Sequence, residues 1–359
     1  MPHGFHVCSC PCIQQSLINV TRTNAQALRR NKVGGINFLN SPENTAGIEK
    51  IQLDPGNGKR KCVDLNYYRK LCETTINEAI SDTCDSGNET QPYCDTIDIT
   101  NELETDNMVF DEDNMRRICA PNGATDEIWI ANIINAQFDA LLTYWDKLVL
   151  QGLLAGLGAF MDGSVIKAIQ LFNTINNDAV GPRTRAIANM IDEFDQGAFN
   201  GKPNLIGATE LNKFVRMITY GTGNAAGQDV GALANEFNFF YDRFLEGVFG
   251  QDEFLMIAPG VSQLLTWNRY VGSYQKVSNT FEHSTIVDPM TGIRFDYKMH
   301  YNDCTDHYYI KLQQNWELFI TPDDGDDSCA DTFGVNGLWN YEACDDITDC
   351  EDYSLSDLW

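Results

Sequence analysis

The sequence predicts an α+β protein, and three observations predict it. A β-hairpin pattern precedes residue 70, a long apolar helical stripe begins after residue 125, and strict alternation of apolar residues returns after residue 284. Between the last two patterns, short helical and strand patterns alternate. With 359 residues, of which 43 % are apolar, the chain is long enough to bury a substantial core.

The first third of the chain contains few candidates for that core. Residues 1–35 show no sustained period and predict an extended arm. In residues 47–68, two alternating segments flank DPGNG (54–58), and because glycine and asparagine accept the positive φ of a tight turn, a β-hairpin is predicted. Residues 70–125 are polar and acidic; they add one strand candidate at 95–100 and predict a surface excursion.

A long helix is predicted over 125–150. Its apolar residues recur at spacings of three and four, as one face of a helix requires: Ile130, Ile133, Ile134, Phe138, Leu141, Leu142, Trp145, Leu148 and Val149. The glycine-rich stretch GLLAGLGAFMDG (152–163) predicts the end of this helix.

The middle of the chain predicts a compact α/β layer. Helices are expected around 187–194 and after Thr209, with a short buried strand at 205–208 between them. A β-like segment at 253–260 follows, and VSQLLTWNRYV (261–271) predicts a further helix.

Long antiparallel strands are predicted near the end. After a Pro-Met-Thr-Gly turn, Ile293, Phe295, Tyr297 and Met299 alternate strictly, and residues 307–321 offer two more strand segments. Residues 321–359 then carry twelve Asp or Glu and no Lys or Arg, which predicts a solvated acidic tail.

The charge of the chain limits its partners. With 51 acidic and 25 basic side chains, the formal net charge is −26, which repels nucleic acid, so sequence-specific nucleic-acid binding is not expected. No apolar stretch reaches the roughly 20 residues of a membrane-spanning helix. The N-terminal residues lack a basic leader followed by an apolar run, so synthesis in a cytoplasm is expected.

Twelve cysteines lie at both ends of the chain, and none falls between residues 120 and 303. They are compatible with a metal site, with unpaired thiols or with disulfides that form late, and an even count does not choose between these. A zinc site favours Cys-x-x-Cys pairs, whereas residues 8–12 read CSCPC with His3 and His6 nearby.

No pattern of residues predicts catalysis. The sequence has no GxxxxGK[ST], HExxH or GxSxG motif; GTGNAAG (221–227) follows a helix where a dinucleotide loop follows a strand, and the acidic strings at 111–114 and 323–327 lack the EF-hand order. His300, Cys304, Asp306 and His307 form either a metal cluster or, more simply, a polar turn between two strands. We therefore expect no catalytic residues, no cofactor, no bound metal and no enzymatic activity.

The order of these elements resembles the major capsid proteins of tailed bacteriophages, the Hong Kong 97 type fold. Three segments are similar to capsid proteins of phages that infect Bacteroidetes-like hosts: GNGKRKCVDLNYYRK (56–70), GKPNLIGATELNKF (201–214) and DEFLMIAPGVSQLLTWNRY (252–270). The likeness is one of pattern and covers roughly residues 30–320.

The resemblance implies a division of the chain into capsid-type parts. These would be an N-terminal arm (1–35), an extended β-hairpin loop (36–120), a long spine helix with the start of the peripheral domain (121–164), an α/β axial domain (165–275), peripheral-domain strands (276–321) and the acidic C-terminal tail (322–359). A subunit of this kind would assemble with itself into the hexameric and pentameric capsomers of an icosahedral virion shell around double-stranded DNA. Portal, scaffold and decoration proteins would be its further partners.

In such a shell, cysteines of the arm and tail would lie where disulfides between subunits could form after release into an oxidising medium: Cys8, Cys10, Cys12, Cys329, Cys344 and Cys350. Two related alternatives are another virion structural protein, such as a tail-tube or neck protein, and an encapsulin-like compartment shell. An alternative from another class is a secreted enzyme or binding module stabilised by disulfides.

Overall fold

The structure of the chain is a computed structural model. The structure describes residues 10–23, 33–45, 48–51, 61–67, 93–111, 126–160, 167–170, 181–196, 199, 201–220, 236–250, 252–270, 275–278, 281–302, 304–305, 307–321 and 337–344.

Helices and strands both occur through most of this length. The helices are α1 (Cys10–Thr23), α2 (Gly34–Leu39), α3 (Pro42–Thr45), α4 (Asp126–Phe160), α5 (Gly181–Gln196) and α6 (Thr209–Tyr220). The strands are β1 (Ile48–Ile51), β2 (Cys62–Tyr67), β3 (Tyr93–Asp98), β4 (Asn101–Glu104), β5 (Met108–Asp111), β6 (Lys167–Gln170), β7 (Asn204–Gly207), β8 (Asn238–Tyr241), β9 (Glu253–Ile257), β10 (Ser262–Trp267), β11 (Gln275–Ser278), β12 (Phe281–Val287), β13 (Arg294–Asn302), β14 (His307–Ile320) and β15 (Leu338–Cys344). The predicted α+β class is confirmed.

The strands form three sheets. The three-stranded sheet has the antiparallel order β1-β2-β3. The seven-stranded sheet has the order β10-β14-β13-β12-β11, with β4 and β5 paired to the remaining edge of β14. The five-stranded sheet has the order β6-β15-β9-β7-β8, in which β6 and β8 run parallel to their neighbours and the other pairs are antiparallel. Strand β14 is central because it has partners along both edges.

The 35-residue helix α4, called the spine helix below, lies at the centre of the packing. It contacts β4 and β14 of the seven-stranded sheet and β15 of the five-stranded sheet. Its stripe of buried residues, among them Phe138, Trp145 and Leu153, belongs to one apolar cluster that extends into both sheets. Burial of this stripe against two sheets explains why the helix forms over such a length.

The spine helix continues beyond the predicted end, through the glycine-rich stretch to Phe160. Gly152 and Gly156 lie one turn apart and face β14. A Cβ atom at Gly152 would lie 2.7 Å from Leu318, and one at Gly156 would lie 2.3 Å from Ile320. These glycines allow close approach of helix and strand, so the prediction that they end the helix is wrong.

The predicted extended arm also contains a helix, α1. Ile13, Leu17 and Val20 are buried at helical spacing, and α1 packs along the spine helix. Gln14 fixes its position, since Nε2 donates to the Val287 carbonyl at 2.9 Å and the Val287 amide donates to Oε1 at 2.9 Å. The arm prediction is wrong for 10–23 because three apolar residues are too few to show a sustained period.

The segment predicted as a helix over 261–271 contains strand β10, which pairs antiparallel with β14. The prediction failed because β10 is buried on both faces: Leu264 faces the large cluster, while Leu265 and Trp267 face a second, smaller one. A continuous apolar run has no visible period of two. Strand β10 thus belongs to the seven-stranded sheet, and the predicted boundary of the axial domain at 275 stays a prediction.

Two other predicted segments differ from the structure. In the predicted tail 322–359, β15 is a buried strand between β6 and β9, with Leu338 and Trp339 fully buried. In the predicted loop 36–120, α2 lies in the main core, and β4 and β5 complete the seven-stranded sheet. These structured segments are short and stand between acidic stretches, so the polar composition around them masks their apolar patterns in the sequence.

Several predictions are confirmed. The hairpin predicted in 47–68 is the antiparallel pair of β1 and β2, and its predicted turn lies outside the described residues. Strands β3, β7, β9 and β13, as well as helices α5 and α6, lie where the patterns place them. The two strand segments predicted in 307–321 are one continuous strand of 14 residues, β14. Of the helices described, none is both long and apolar enough to cross a membrane.

Candidate assembly surfaces

The three-stranded sheet is attached to the body of the protein at one end. Val63 and Leu65 of β2, with Ile99 just after β3, pack on Leu265 and Trp267 of β10 in the smaller apolar cluster, which Phe319 completes. This cluster contains six buried residues and is separate from the main core. The sheet is therefore a distinct unit with its own small core at its base.

Polar contacts fix the same base. Nζ of Lys61 donates to Oδ1 of Asn315 at 2.9 Å and forms an ion pair with Glu102. The Glu317 carboxylate accepts from the hydroxyl of Thr100 at 2.8 Å and from the Asn101 amide group at 2.9 Å. In the described part of the chain, β1 and β3 pair only with β2, so each leaves one strand edge open.

Two buried carboxylates join the spine helix to the five-stranded sheet. Asp146 lies in the middle of the spine helix and Asp242 directly follows β8, and both are fully buried. The Ile36 amide donates to Oδ1 of Asp146 at 3.0 Å, and the Gly35 amide donates to Oδ2 of Asp242 at 3.0 Å. The first free amides of α2 are thus bound by one acid from each side, which fixes all three elements. We call this arrangement the acid joint.

The two carboxyl groups of the acid joint are also close enough to influence each other's charge. Burial first, and then the negative charge of Asp242, raises the pKa of Asp146 well above its ordinary value. Oδ2 of Asp146 has no hydrogen-bond partner among the described residues. The joint therefore retains a proton at pH values at which an exposed aspartate is ionised.

Two cations lie beside the acid joint. The Phe244 amide donates to Oδ1 of Asp242 at 2.7 Å, and the Phe244 ring lies under the guanidinium of Arg243 at 4.3 Å and under Nζ of Lys147 at 5.1 Å. Arg243 also donates to the hydroxyl of Thr143 at 3.2 Å. Its positive charge partly opposes the rise in the pKa of Asp146, although burial outweighs it.

Large apolar side chains are exposed on the side of the spine helix away from the core. Tyr144 is 58 % exposed and Leu154 is 38 % exposed, and Ala136 and Ala140 on the same side are exposed as well. On β5, Val109 is 51 % exposed. Lys147 and Gln151 are exposed on the same side between Tyr144 and Leu154, and single exposed apolar residues of this kind are ordinary.

The structure covers the predicted disulfide cysteines only in part. Cys10 and Cys12 lie in α1 and Cys344 ends β15, while Cys8, Cys329 and Cys350 lie outside the described residues. Two other cysteines are free thiols: Cys62 is buried in β2 and Cys304 is exposed. The predicted disulfides between subunits stay a prediction.

Part of the candidate metal cluster lies in a turn, and its residue Asp306 lies outside the described residues. Cys304 and Thr305 lie between β13 and β14, with the Cys304 amide bonded to the Asn302 side chain at 3.0 Å, and the His300 ring stacks on Tyr309 at 4.9 Å. Within the described ranges, no three His, Cys, Asp or Glu side chains are grouped to hold a metal ion. GTGNAAG (221–227) and the acidic string at 323–327 lie outside those ranges, as does the acidic string at 111–114 apart from Asp111.

Sequence reasoning missed the acid joint and Glu317. One signal was available for Asp146, because a charged residue stands next to Trp145 inside the apolar stripe of a helix. A carboxylate there has to be bonded or protonated when the stripe is buried. Nothing local distinguishes Asp242 or Glu317 from the other acids of this acidic chain, since their partners are distant in sequence.

No protein-family model matches the sequence, and no curated protein matches it. Solved structures match by fold. The chain is similar to a chain of Mycobacterium phage Che8, with 11 % identity, a TM-score of 0.41 and coverage of 86 % of this chain and 90 % of that one. The capsid of Ralstonia phage GP4 gives 9 % identity, a TM-score of 0.45 and coverage of 80 % and 85 %. The capsid asymmetric unit of cyanophage A-1(L) gives 10 % identity, a TM-score of 0.48 and coverage of 79 % and 88 %.

All three neighbours come from phages, and two are capsids by name. Identities of 9 to 11 % concern the fold alone, and the roles given above to individual residues come from the geometry of this chain.

Proposed function

We propose that this chain is a structural subunit of a virion shell of the tailed-phage type, which acts by associating with copies of itself and not by catalysis. The proposal rests on the division of the described residues into a body and an attached sheet. A body built on the spine helix buries most of the apolar residues, whereas the three-stranded sheet is attached through a small cluster and leaves two strand edges open. An open strand edge offers backbone donors and acceptors to a neighbouring chain.

The parts of the structure then take capsid-type roles. The three-stranded sheet is the extended loop that reaches a neighbour, and the seven-stranded sheet with the spine helix is the peripheral domain. The five-stranded sheet with α5 and α6 is the axial domain. Among the described residues, the attachment of the three-stranded sheet through the small cluster at its base supports the first role. The exposed side of the spine helix that carries Tyr144 and Leu154 is proposed as a further contact surface.

The finer proposal concerns the assembly. Copies form hexameric and pentameric capsomers of an icosahedral shell around double-stranded DNA, and the chain is made in the host cytoplasm and located in the virion capsid. Portal, scaffold and decoration proteins are its proposed partners. The negative charge of −26 on each copy repels DNA, so the proposed shell encloses DNA without base-specific contacts.

Electron microscopy of the expressed chain tests this function. Closed shells, or rings of five and six copies, are the expected result. Tubes would instead indicate a tail-tube protein. Uniform compartments that contain a cargo protein and no DNA would indicate an encapsulin-like shell. Particles that stay monomeric at high protein concentration and bind or hydrolyse a small molecule would contradict the proposal.

The disulfide prediction has a test of its own. If Cys8, Cys10, Cys12, Cys329, Cys344 or Cys350 joins subunits, purified shells will give dimers and larger species on a gel run without reductant. Shells that give monomer alone would contradict disulfides between subunits without affecting the proposed function.

A further inference from the structure

The seven-stranded sheet has one face on the core and one face outward. On β13, Phe295, Tyr297 and Met299 are buried towards the spine helix, while the alternate residues Lys298 and His300 are on the outer face. Period-two alternation along each strand places the corresponding residues of β12 and β14 on the same outer face.

Basic side chains face one another across this outer face. His283, Lys298 and Lys311 are directly opposite in neighbouring strands, and together they form what we call the cationic row. Like charges directly opposite one another destabilise a sheet. Burial first, and then the guanidinium of Arg269, lowers the pKa of both His283 and Lys298. The lowered pKa favours neutral His283, and Arg269 adds a cation beside the two lysines.

Two carboxylates lie near the cationic row, and one of them is paired with a lysine of the row. Glu104 binds Nζ of Lys311 at 2.8 Å, which lowers the pKa of Glu104. Asp296 accepts the backbone amide of Arg269 at 2.8 Å, and burial raises the pKa of this carboxyl in spite of that bond. In the part of the chain that the structure describes, no carboxylate lies within ion-pair distance of Lys298.

Aromatic rings border the cationic row. Tyr270 lies 4.2 Å from the His283 ring, and on the other side the next cross-strand row consists of Phe281, His300 and Tyr309. The surface therefore combines cations with aromatic faces. It fits an extended acidic segment that also carries apolar or aromatic residues.

One segment of this chain has that chemistry. Residues 345–359 contain six Asp or Glu, no Lys or Arg, and the aromatic residues Tyr353 and Trp359. Fifteen residues extend to about 50 Å, enough to reach across a neighbouring copy. A nucleic acid is disfavoured as the occupant because the chain as a whole has a charge of −26 and repels phosphates as it approaches.

We propose that the cationic row, with Arg269, binds the acidic segment 345–359 of a second copy of this chain. The inference rests on the proposed function, because the copies must be held side by side. It also addresses an electrostatic problem of that function. Copies with a charge of −26 repel one another, and a row of cations that receives a neighbour's acids turns part of that repulsion into attraction.

Crosslinking of mixed-isotope shells tests the proposal. Shells are assembled from equal amounts of ¹⁴N and ¹⁵N chains and treated with a carbodiimide, which joins an amine to a carboxylate with loss of water. We expect Lys298 or Lys311 joined to a carboxylate of 345–359, with about half of the crosslinked peptides containing both isotopes, as random mixing of two equal populations requires.

Three results would overturn the proposal. Shells without such a crosslink, or with same-isotope pairs alone, would show that the segment does not bind a second copy. Lysines that are protected from acetylation until nuclease is added would assign the row to nucleic acid. Failure of the parent chain to form shells is a different result, because it contradicts the proposed function itself.

Substitution gives an independent measurement. In Lys298→Gln/Lys311→Gln shells, the salt concentration that dissociates half of the particles should fall about twofold, since charge attraction between copies is reduced. Lys202→Gln, which removes an exposed lysine outside the row, is the matched control and should leave that concentration unchanged. Equal behaviour of the two variants would overturn the proposal.

Discussion

The two apolar clusters of this protein differ in size and in what they hold together. The large cluster joins α1, α2, the spine helix and residues of both larger sheets. The smaller cluster contains six buried residues and joins the three-stranded sheet to β10 and β14. Both clusters meet at β10, where the neighbours Leu264 and Leu265 point to opposite faces of one strand.

This difference separates a body that is stable by itself from an element that is stabilised by neighbours. A large buried area supports cooperative folding, whereas a few side chains hold an attached sheet only weakly against local opening. In the shell subunit proposed above, the attached sheet would be able to adjust to a neighbouring copy without disturbing the body. Substitutions at four places test the comparison.

The largest effect is expected at the centre of the large cluster. Trp145 is fully buried and contacts Phe295 and Trp316, with ring centroids 6.4 and 6.0 Å away. Trp145→Ala should lower the free energy of unfolding by about 3–5 kcal/mol, as measured by urea denaturation of the unassembled chain. The adjacent Tyr144 is 58 % exposed, so Tyr144→Ala should change it by less than about 0.5 kcal/mol. Equal effects of the two variants would contradict the central position of Trp145.

Substitutions at the adjacent residues Leu264 and Leu265 test the two clusters one at a time, because each leucine belongs to a different cluster. Each Leu→Ala substitution should cost about 2–4 kcal/mol locally. Leu264→Ala should lower the stability of the whole body, whereas Leu265→Ala should speed amide exchange in β1, β2 and β3 and leave exchange in β9 and β13 unchanged. Hydrogen exchange followed by mass spectrometry measures both. If Leu265→Ala also opened β13, the three-stranded sheet would be part of the body and not a separate unit.

A smaller loss of folding stability is expected from a substitution where α2 meets the acid joint. A Cβ atom at Gly34 would lie 2.8 Å from Cβ of Asp242 and 3.0 Å from the backbone of Tyr241, neither of which can move freely. Gly34→Ala should therefore cost about 1–3 kcal/mol by overpacking, measured by urea denaturation. A Cβ atom at Gly247 would meet no other atom within 4 Å, so Gly247→Ala is the control and should be close to neutral. A neutral Gly34→Ala would show that the joint is loosely packed.

Sequence patterns predicted the elements whose burial has a clear period. The stripe of the spine helix and the alternation on β13 each face one core, so their periods of about 3.6 and 2 are visible in the sequence. Strand β10 has no such period because Leu264 and Leu265 are buried in different clusters. β15 was hidden because its seven residues stand between acidic runs.

The candidate surfaces were less predictable than the elements. Asp146 and Asp242 are 96 positions apart, and Lys298 and Lys311 come together only through the register of β13 with β14. Such groupings depend on which strands are neighbours, and local pattern does not contain that information. The glycines at 152 and 156 illustrate the same point, because their role depends on a strand more than 150 residues later.

The smallest expected effect is a change in pH dependence at the acid joint. A raised pKa in the folded state means that the folded chain binds a proton that the unfolded chain has released, so stability falls as pH rises between the ordinary pKa of an aspartate and the raised pKa of Asp146. The slope reaches at most about 1.4 kcal/mol per pH unit for one proton. Asp146→Asn removes this proton while its side-chain oxygen still accepts from the Ile36 amide. The free energy of unfolding of the variant should therefore increase relative to that of the parent as pH rises from 5 to 8.

The comparison of two variants at this residue shows whether the proton or the hydrogen bond matters. Asp146→Ala removes both the charge and the acceptor for Ile36, so it should be destabilised at every pH, by about 1–3 kcal/mol for a buried amide left without a partner. Asp146→Asn removes the charge alone, so its advantage over the parent should be confined to higher pH. Parallel pH profiles of the parent and Asp146→Asn would mean that Asp146 is ionised in the folded chain. The joint would then be held by its two amide bonds and would retain no proton.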